Sequence, residues 1–297
     1  MNINPNWSRQ WLLLSVYLCI LILPIQRSDA ETFIASIEDT QWRVDGSRFQ
    51  CRLSHQIPNY GQGVFIREAG ERLAFYLDVE QQTMKPGQGA LCSMPPYWKA
   101  DDARLPIGDI RISAGRRAIE LDYRLARRIF GELQKGRVPT FTQKARFNEQ
   151  DWVEVGLSSA AFSQALPDFL ACESNLLPVN FDQIKRTTIY FASNSWELSD
   201  QALALLAKIK LYVSHDSTIT GFFIDGHTDN RGNRRENRDI AKRRALAVSQ
   251  YFSHRGLPEE LLTIRFHGER YPTASNRTAK GRAKNRRTTI RLVRDDQ

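Results

Sequence analysis

Residues 226–248 read GHTDNRGNRRENRDIAKRRALAV, and they connect a predicted strand to a predicted helix. The strand is the apolar stretch 219–224, which ends just before the quoted glycine. The helix begins near Glu236 and runs for roughly 20 residues, until Gly256 and Pro258 stop it. The polar residues between the two elements are therefore expected to form a loop at the carboxyl end of the strand.

The phase of this helix decides where its charged residues point. By the three-and-four spacing rule, one face carries Asn237, Ile240, Ala241, Arg244, Ala245 and Val248. Arg244 is therefore expected to face the sheet, where a charge among apolar neighbours requires a partner. Asp229, in the loop, is the expected partner. A facing aspartate and arginine suit a zwitterionic ligand, and the alternative is a structural ion pair that only orders the loop.

The surrounding sequence continues the alternation of strands and helices. Residues 187–191 are rich in β-forming side chains, and Ser199 or Asp200 can cap a helix whose apolar residues recur every three or four positions. Stretches 262–266 and 288–293 read as two more strands. The C-terminal half is therefore predicted to have the order β-α-β-α-β-β.

This motif and this order resemble the OmpA-like peptidoglycan-binding domain over about residues 185–294. The matching residues are Gly226-His227-Thr228-Asp229-Asn230, Gly232, Asn237, Arg244-Ala245 and Gly281-Arg282-Ala283-Lys284-Asn285-Arg286-Arg287. The resemblance implies that Asp229 and Arg244 bind diaminopimelate in a peptidoglycan stem peptide. The carboxylate would accept from the ligand's ammonium, and the guanidinium fork would hold the ligand's carboxylate through paired hydrogen bonds.

The same resemblance adds six residues to the candidate peptidoglycan-binding site. They are Thr228, Asn230, Asn237, Asn285, Arg286 and Arg287. The first two would contribute backbone N–H donors, while the other four match side chains of the family pattern. Support of the fold is the alternative for those four, with Asn285 ordering a loop. Ala192 departs from the pattern, because the family often has an aspartate there, and this puts one ligand contact in doubt.

The N-terminal half reads as mainly β-structure. Apolar and polar residues alternate along 73–79, which predicts a strand with one buried face, and 64–66 precedes it across a hairpin connection. Stretches 107–112 and 153–157 indicate two further strands. A helix is predicted from the spacing of Leu121, Leu125, Ile129 and Leu133, with Gly136 ending it. No catalytic constellation is apparent in this half.

The first 30 residues have the features of a secretory signal peptide. Arg9 gives a basic start, an apolar run spans 11–25, and Ser28-Asp29-Ala30 offers small residues for cleavage. An uncleaved transmembrane anchor is the alternative, but the run is shorter than the roughly 20 residues a span needs. Cys19 follows Leu18 rather than a small residue, so no lipid anchor is expected. We expect an exported protein without a transmembrane segment in its mature chain.

Export makes the remaining cysteines candidates for a disulfide. Cys51, Cys92 and Cys172 allow three pairings with one thiol left free, and three buried thiols are the alternative. A bond between the first and last would close a loop of about 120 residues, worth about 4–5 kcal/mol on the chain-entropy model.

Several segments of the N-terminal half resemble the MotY family of flagellar motor proteins. They are 51–58, 93–98, 136–141, 157–162 and 172–177. In that family the cysteines that match Cys51 and Cys172 are bonded, so the resemblance implies this pairing, and Cys92 is expected to be free. The aromatic, proline-containing segment 94–98 could dock a partner or simply pack on its own domain.

The charge distribution narrows the set of binding partners. The net charge of +9 is concentrated in residues 226–297, which hold 18 Lys and Arg against 8 Asp and Glu. A basic domain suggests an anionic polymer, yet export and the lack of a series of stacking aromatics disfavour nucleic acid. The arginines outside the matched set read as a solvated helix face or as nonspecific attraction to the wall.

A metal-dependent enzyme built from His227, Asp229, His254 and His267 is disfavoured, because no closed ligand spacing occurs.

Together these features predict an α+β protein with a signal peptide (1–30), a mainly β N-terminal domain (31–182) and an OmpA-like domain (183–297). The MotY resemblance implies a periplasmic structural component of the flagellar basal body. Its implied partners are peptidoglycan, a MotX-like protein, the basal-body T ring and the stator complex, with no cofactor, no metal and no enzymatic activity. The alternative is a generic envelope protein that tethers the outer membrane or a periplasmic complex to peptidoglycan.

Overall fold

The computed structural model describes residues 30–96, 99 and 103–295, which form an α+β protein with two β-sheets. The predicted signal peptide lies outside the described residues except for Ala30, and so do Tyr97 and Trp98 of the predicted docking segment. The strands of the first sheet are β1 (Ala30–Phe33), β2 (Trp42–Gly46), β3 (Gln50–Ile57), β4 (Gly61–Glu68), β5 (Ala74–Val79), β6 (Gly87–Met94), β7 (Leu105–Ile112), β8 (Arg117–Leu121), β9 (Val138–Lys144) and β10 (Trp152–Gly156). The second sheet contains β11 (Arg186–Tyr190), β12 (Ile219–His227), β13 (Leu262–Gly268) and β14 (Arg287–Arg294). The helices are α1 (Tyr123–Gln134), α2 (Phe162–Ser174), α3 (Phe181–Ile184), α4 (Asp200–Val213), α5 (Arg234–Ser253) and α6 (Ala279–Asn285).

The N-terminal sheet has the strand order β1-β10-β9-β6-β7-β8-β5-β4-β3-β2. Neighbouring strands are antiparallel except for the parallel pair β1 and β10. Phe130 of α1 joins the sheet to α2, because its ring lies edge-on at 5.2 Å from both Phe65 and Phe162. The prediction of a mainly β N-terminal half with a helix is confirmed, and α2 is a second helix.

Helix α1 has local signals at both ends. The Asp122 side chain caps it by accepting a hydrogen bond from the Leu125 N–H at 2.9 Å. Gly136 follows the helix in the left-handed region with φ of 76°, where glycine avoids the Cβ clash. The prediction was wrong only about Leu121, which is the last residue of β8 and packs into the core from the strand.

A disulfide joins Cys51 of β3 to Cys172 of α2, with the two Cα atoms 5.9 Å apart. This confirms the pairing that the family resemblance implied. Cys92 is a free, buried thiol whose sulfur lies 3.0 Å from the Arg104 Nε. The disulfide connects the C-terminal end of α2 to the N-terminal sheet, just before the chain continues into the C-terminal half.

The C-terminal sheet has the order β11-β14-β12-β13. Strands β12 and β13 are parallel, while β14 is antiparallel to both β11 and β12. Helices α4 and α5 cover one face, where Leu206, Val248 and Phe252 are buried against Phe222. None of the described helices combines the length and the apolar character that crossing a bilayer requires.

One helix of this domain was not predicted. Helix α6 lies between β13 and β14, so the order is β-α-β-α-β-α-β rather than β-α-β-α-β-β. Its sequence, AKGRAKN, is short and without apolar periodicity, and the hydroxyl of Thr278 caps it by accepting from the Gly281 N–H.

Gly226 allows α5 to approach β12 closely. A Cβ at this position would lie 2.0 Å from the backbone oxygen of Ala241, and backbone of this kind cannot move aside easily. The glycine of the quoted motif is therefore required by helix-on-sheet packing. The same contact brings the N-terminal half of α5 next to the loop that follows β12.

The two halves of the chain pack against each other. Ala69, from the turn after β4, is buried in the C-terminal core, and the Phe49 ring lies edge-on at 5.3 Å from Tyr212 of α4. The Leu177 N–H donates to the Arg48 carbonyl at 2.9 Å. The boundary between residues 182 and 183 stays a prediction.

Candidate functional site

The candidate site is centred on Asp229, in the loop between β12 and α5. This residue is only 5% exposed. Its Oδ1 accepts a hydrogen bond from the Arg231 N–H at 3.1 Å, and its Oδ2 forms an ion pair with the Arg286 Nη1 at 3.0 Å. The carboxylate is thus held in place from two sides at the carboxyl end of a central strand.

Arg244 lies beneath this loop and is 1% exposed. Its guanidinium donates to three backbone carbonyls, those of Ser195 at 2.8 Å, His227 at 2.9 Å and Ala192 at 3.1 Å. These hydrogen bonds join α5 to the loops that follow β11 and β12. Helix phase correctly predicted that Arg244 points toward the sheet.

The predicted direct pairing of Asp229 with Arg244 is wrong. The carboxylate pairs with Arg286 instead, and Arg244 is satisfied by carbonyl oxygens. Arg286 reaches the loop from the end of α6, which the sequence pattern did not reveal. Burial and, to a smaller extent, the charge of Arg286 lower the pKa of Arg244 to about 10, while the charge of Asp229 opposes the shift.

The charges of these three side chains do not cancel. Two guanidinium groups and one carboxylate leave a local charge of about +1 in a poorly hydrated place. A guanidinium has five N–H donors, so the three carbonyl bonds of Arg244 leave two of them for another acceptor. The arrangement is therefore suited to bind a carboxylate beside the Asp229 loop.

Of the two loop residues next to Asp229, Thr228 differs from expectation. The Thr228 N–H was predicted to donate to a ligand. It donates instead to the Gly268 carbonyl at 2.9 Å. The Thr228 hydroxyl, however, is buried and lacks a hydrogen-bond partner among the described residues. A buried hydroxyl of this kind is costly unless something pairs with it. Asn230 is exposed at the rim.

Asn237 and Asn285 both support loops. The Asn237 side-chain amide donates to Glu269 Oε2 at 2.7 Å, which fixes the segment after β13 to α5. The buried Asn285 accepts from the N–H groups of Thr273 and Ala274 and donates to the Ala274 carbonyl. The structural alternative for Asn285 thus agrees with its contacts.

Arg287, the last predicted site residue, is also largely engaged in structure. It is buried and donates to the Tyr271 carbonyl at 3.0 Å, while its Nε lacks a partner among the described residues. Burial lowers its pKa. Of the predicted set, Asp229, Arg244 and Arg286 come together. Asn237, Asn285 and Arg287 are hydrogen-bonded to neighbouring segments.

Two family profiles divide the chain between them. Residues 33–178 match the MotY N-terminal domain, and residues 190–286 match the OmpA family. The sodium-type flagellar protein MotY of Vibrio parahaemolyticus is 30% identical over 289 residues, which cover 96% of this chain and 98% of that protein. This chain belongs to the MotY family.

Other relatives of this MotY-family protein cover a smaller part of the chain. The peptidoglycan-associated lipoprotein of Buchnera aphidicola is 29% identical over 122 residues, or 39% of this chain and 70% of that one. A crystal structure of the peptidoglycan-associated lipoprotein from Burkholderia pseudomallei has 27% identity and a TM-score of 0.34, and covers 36% of this chain and 89% of that one.

This MotY-family chain also has a polar cluster on the sheet face opposite α5, which sequence reasoning missed. Asp225 forms a two-point ion pair with Arg265 at 2.6 Å and lies 2.7 Å from His267 Nε2. The His227 and His267 rings stack with their centres 5.0 Å apart. The parallel pairing of β12 with β13 brings them together. Within the described residues, no three His, Cys, Asp or Glu side chains converge to hold a metal ion.

Proposed function

We propose that the C-terminal domain binds peptidoglycan through the diaminopimelate of a stem peptide. The observation that carries this proposal is the buried group of Asp229, Arg286 and Arg244, with its excess positive charge and two uncommitted N–H donors. An anionic group placed there would balance the charge that burial disfavours.

The free end of diaminopimelate carries an ammonium and a carboxylate on one carbon. Asp229 accepts from the ammonium, and the remaining N–H donors of Arg244, together with Arg286, bind the carboxylate. The Thr228 hydroxyl, which lacks a partner among the described residues, supplies one more hydrogen bond. Arg286 thus takes a larger part than the sequence pattern assigned to it.

The flagellar part of the proposal rests on family membership along nearly the whole chain. The protein acts in the periplasm, after removal of its signal peptide, as a non-enzymatic structural component of the motor. The N-terminal domain joins a MotX-like protein and the T ring of the basal body, and the C-terminal domain holds the wall. The packing of Phe49 against Tyr212 supports a fixed link between the two domains, through which stator units are anchored around the basal body.

Ligand recognition is tested with two soluble muropeptides that differ at one position. Isothermal titration of the full-length mature protein is expected to give binding of the disaccharide tetrapeptide that contains diaminopimelate. The matched muropeptide with lysine at that position lacks the terminal carboxylate and is expected to bind at least about tenfold more weakly. Equal affinity for both would contradict recognition of the zwitterionic end.

The motor role is tested in cells that lack the gene. We expect assembled filaments but no swimming in soft agar, with recovery on expression of the wild-type protein. Expression of Asp229→Asn at an equal level is expected not to restore swimming. Normal swimming of the deletion strain would overturn the motor role while leaving wall binding open to its own test.

A further inference from the structure

A groove runs along the outer face of α5, beside the candidate site. It is lined on the helix by Arg235, Glu236, Arg238, Asp239, Ile240, Lys242 and Arg243, with Asn194, Trp196 and Phe266 as its walls, and encloses about 910 Å³. We call these residues the α5 groove. From the sequence alone, its arginines read as a solvated helix face or as nonspecific attraction to the wall.

Two aromatic side chains hold the cations of the α5 groove. The Arg243 guanidinium lies 4.6 Å above the centre of the Trp196 ring, which is 38% exposed. Arg238 lies 5.2 Å above the Phe266 ring, and the Lys242 ammonium 6.0 Å from it. Such cation–π contacts limit the freedom of long side chains.

The α5 groove has an excess of positive charge. It contains four cations and two carboxylates, those of Glu236 and Asp239. Of the two carboxylates, Asp239 forms an exposed ion pair with a cation of the groove, Arg243, at 2.9 Å. Among the described residues, no carboxylate lies within 4 Å of the Arg235 or Arg238 guanidinium. These two arginines are therefore available to an anionic partner.

Both sides of the α5 groove adjoin the candidate site. Asn194 and Trp196 flank Ser195, whose carbonyl accepts from Arg244. On the other side, a hollow of about 550 Å³ shares Arg235, Arg238 and Phe266 with the groove and extends to Gly268 and Glu269. Gly268 accepts from the Thr228 N–H and Glu269 from Asn237. A ligand chain that enters at Asp229 would continue directly onto this surface.

The spacing of the cations suits a polymer better than a compact ligand. Arg235, Arg238 and Lys242 follow one another by three and four residues on one helix face, so at 1.5 Å per residue they extend over about 10 Å. A row of exposed cations of this length is suited to carboxylates that repeat along a chain.

We infer that the α5 groove is a second wall-binding surface, which binds carboxylates of stem peptides adjoining the one held at Asp229. This inference rests on the proposed peptidoglycan binding and adds to it a contact that only the polymer can make. Binding of a single muropeptide uses the Asp229 site alone. Binding of intact sacculi uses both surfaces. The contribution of the α5 groove to the affinity for sacculi decreases with salt, because the charges of the groove are exposed.

The test uses the full-length mature protein with the double substitution Arg235→Glu/Arg238→Glu. The matched control is Lys208→Glu/Arg255→Glu, which makes the same change in charge at exposed positions on α4 and after the far end of α5. Sedimentation with purified sacculi is measured at about 0.05 M and about 0.5 M salt. Titration with the diaminopimelate muropeptide is run in parallel, and circular dichroism checks each fold.

At low salt the groove variant is expected to bind sacculi about tenfold more weakly than both the wild type and the control, and this gap is expected to close at high salt. Its affinity for the muropeptide is expected to be unchanged. Sacculus binding equal to that of the control would overturn the inference, and so would an equal loss for muropeptide and sacculi. Failure of the wild type to bind the muropeptide would instead contradict the proposed function.

Discussion

Asp229 and Arg286 form a buried ion pair of 3.0 Å, at the place where the sequence motif suggested a pair with Arg244. Arg244 is instead engaged by three carbonyl groups that hold two loops against α5. The two arginines therefore have different roles. Arg244 stabilises the backbone beneath the site, and Arg286 pairs with the Asp229 carboxylate. A substitution at Arg244 tests the fold as much as it tests ligand binding.

Replacement of Arg244 by alanine is expected to lower the stability of the C-terminal domain by about 3–5 kcal/mol. It removes the donors of three backbone carbonyls and leaves a cavity under the loop. Urea unfolding followed by circular dichroism measures the loss. Arg243→Ala, in the exposed neighbouring position, serves as control and is expected to change stability by less than about 1 kcal/mol. Equal stability of the Arg244 variant and the wild type would contradict the structural task assigned here.

Replacement of Asn285 by alanine is expected to destabilise the same domain by about 2–4 kcal/mol. The buried amide holds the segment at Thr273 and Ala274 through three backbone hydrogen bonds, which alanine cannot replace. Hydrogen exchange is expected to show loss of protection at the N–H groups of Thr273 and Ala274. Unchanged protection of both would show that the amide does not order this loop.

Loss of the disulfide is expected to destabilise the N-terminal half by about 4–5 kcal/mol on the chain-entropy model, because the bond spans a sequence separation of 121 residues. The change is Cys51→Ala or Cys172→Ala, and the measurement is urea unfolding under oxidising conditions. Cys92→Ala is the control, since this thiol is free. Equal midpoints for all the variants and the wild type would be incompatible with the bond.

Stability is expected to fall as the pH drops from about 6.5 toward 4, partly through His55. Burial lowers the pKa of this histidine from 6.5 to about 4 in the folded state, where it stacks on Trp42. As the pH falls, the unfolded chain therefore binds the proton before the folded protein does. The contribution of neutral His55 to stability is complete above pH 6.5 and is lost as the pH falls from 6.5 toward 4. The linkage amounts to about 2 kcal/mol between pH 7 and pH 5.

Urea unfolding of His55→Gln at both pH values checks this prediction. The variant is less stable at pH 7 but is expected to lose less stability on acidification than the wild type. His254→Gln, at an exposed position after α5, provides the control and is expected to behave like the wild type. An unchanged pH dependence in the His55 variant would rule out this histidine as the cause.

Periodic elements of the fold could be predicted from the sequence. The buried face of α5, the cap at Ser199 and the alternating strand at Phe75 and Leu77 follow from spacing and local chemistry, and the structure confirms them. Ile240 is the exception on α5, because it is half-buried and lines the outer groove. The buried position of Arg244 could also be predicted from the sequence, because it follows from the phase of helix α5.

Long-range pairing could not be predicted in the same way. Helix α6 lacks apolar periodicity, so the approach of Arg286 to Asp229 was hidden. Backbone carbonyls accept from Arg244 but leave no signal in the residue types. The contact of His227 with His267 depends on the parallel pairing of β12 and β13, which strand patterns alone do not specify.

The most direct test of peptidoglycan binding through Asp229 is sedimentation of the mature protein with purified sacculi, for wild type, Asp229→Asn and the control Asp200→Asn, at the exposed first residue of α4. Asparagine keeps an oxygen for the Arg231 N–H but removes the charge that binds an ammonium, so the Asp229 variant is expected to remain folded by circular dichroism. Wild type and the exposed Asp200 variant are expected to sediment with the wall, and folded Asp229→Asn to stay in solution. Sedimentation of folded Asp229→Asn equal to that of the wild type would contradict the assignment of this carboxylate to the ligand.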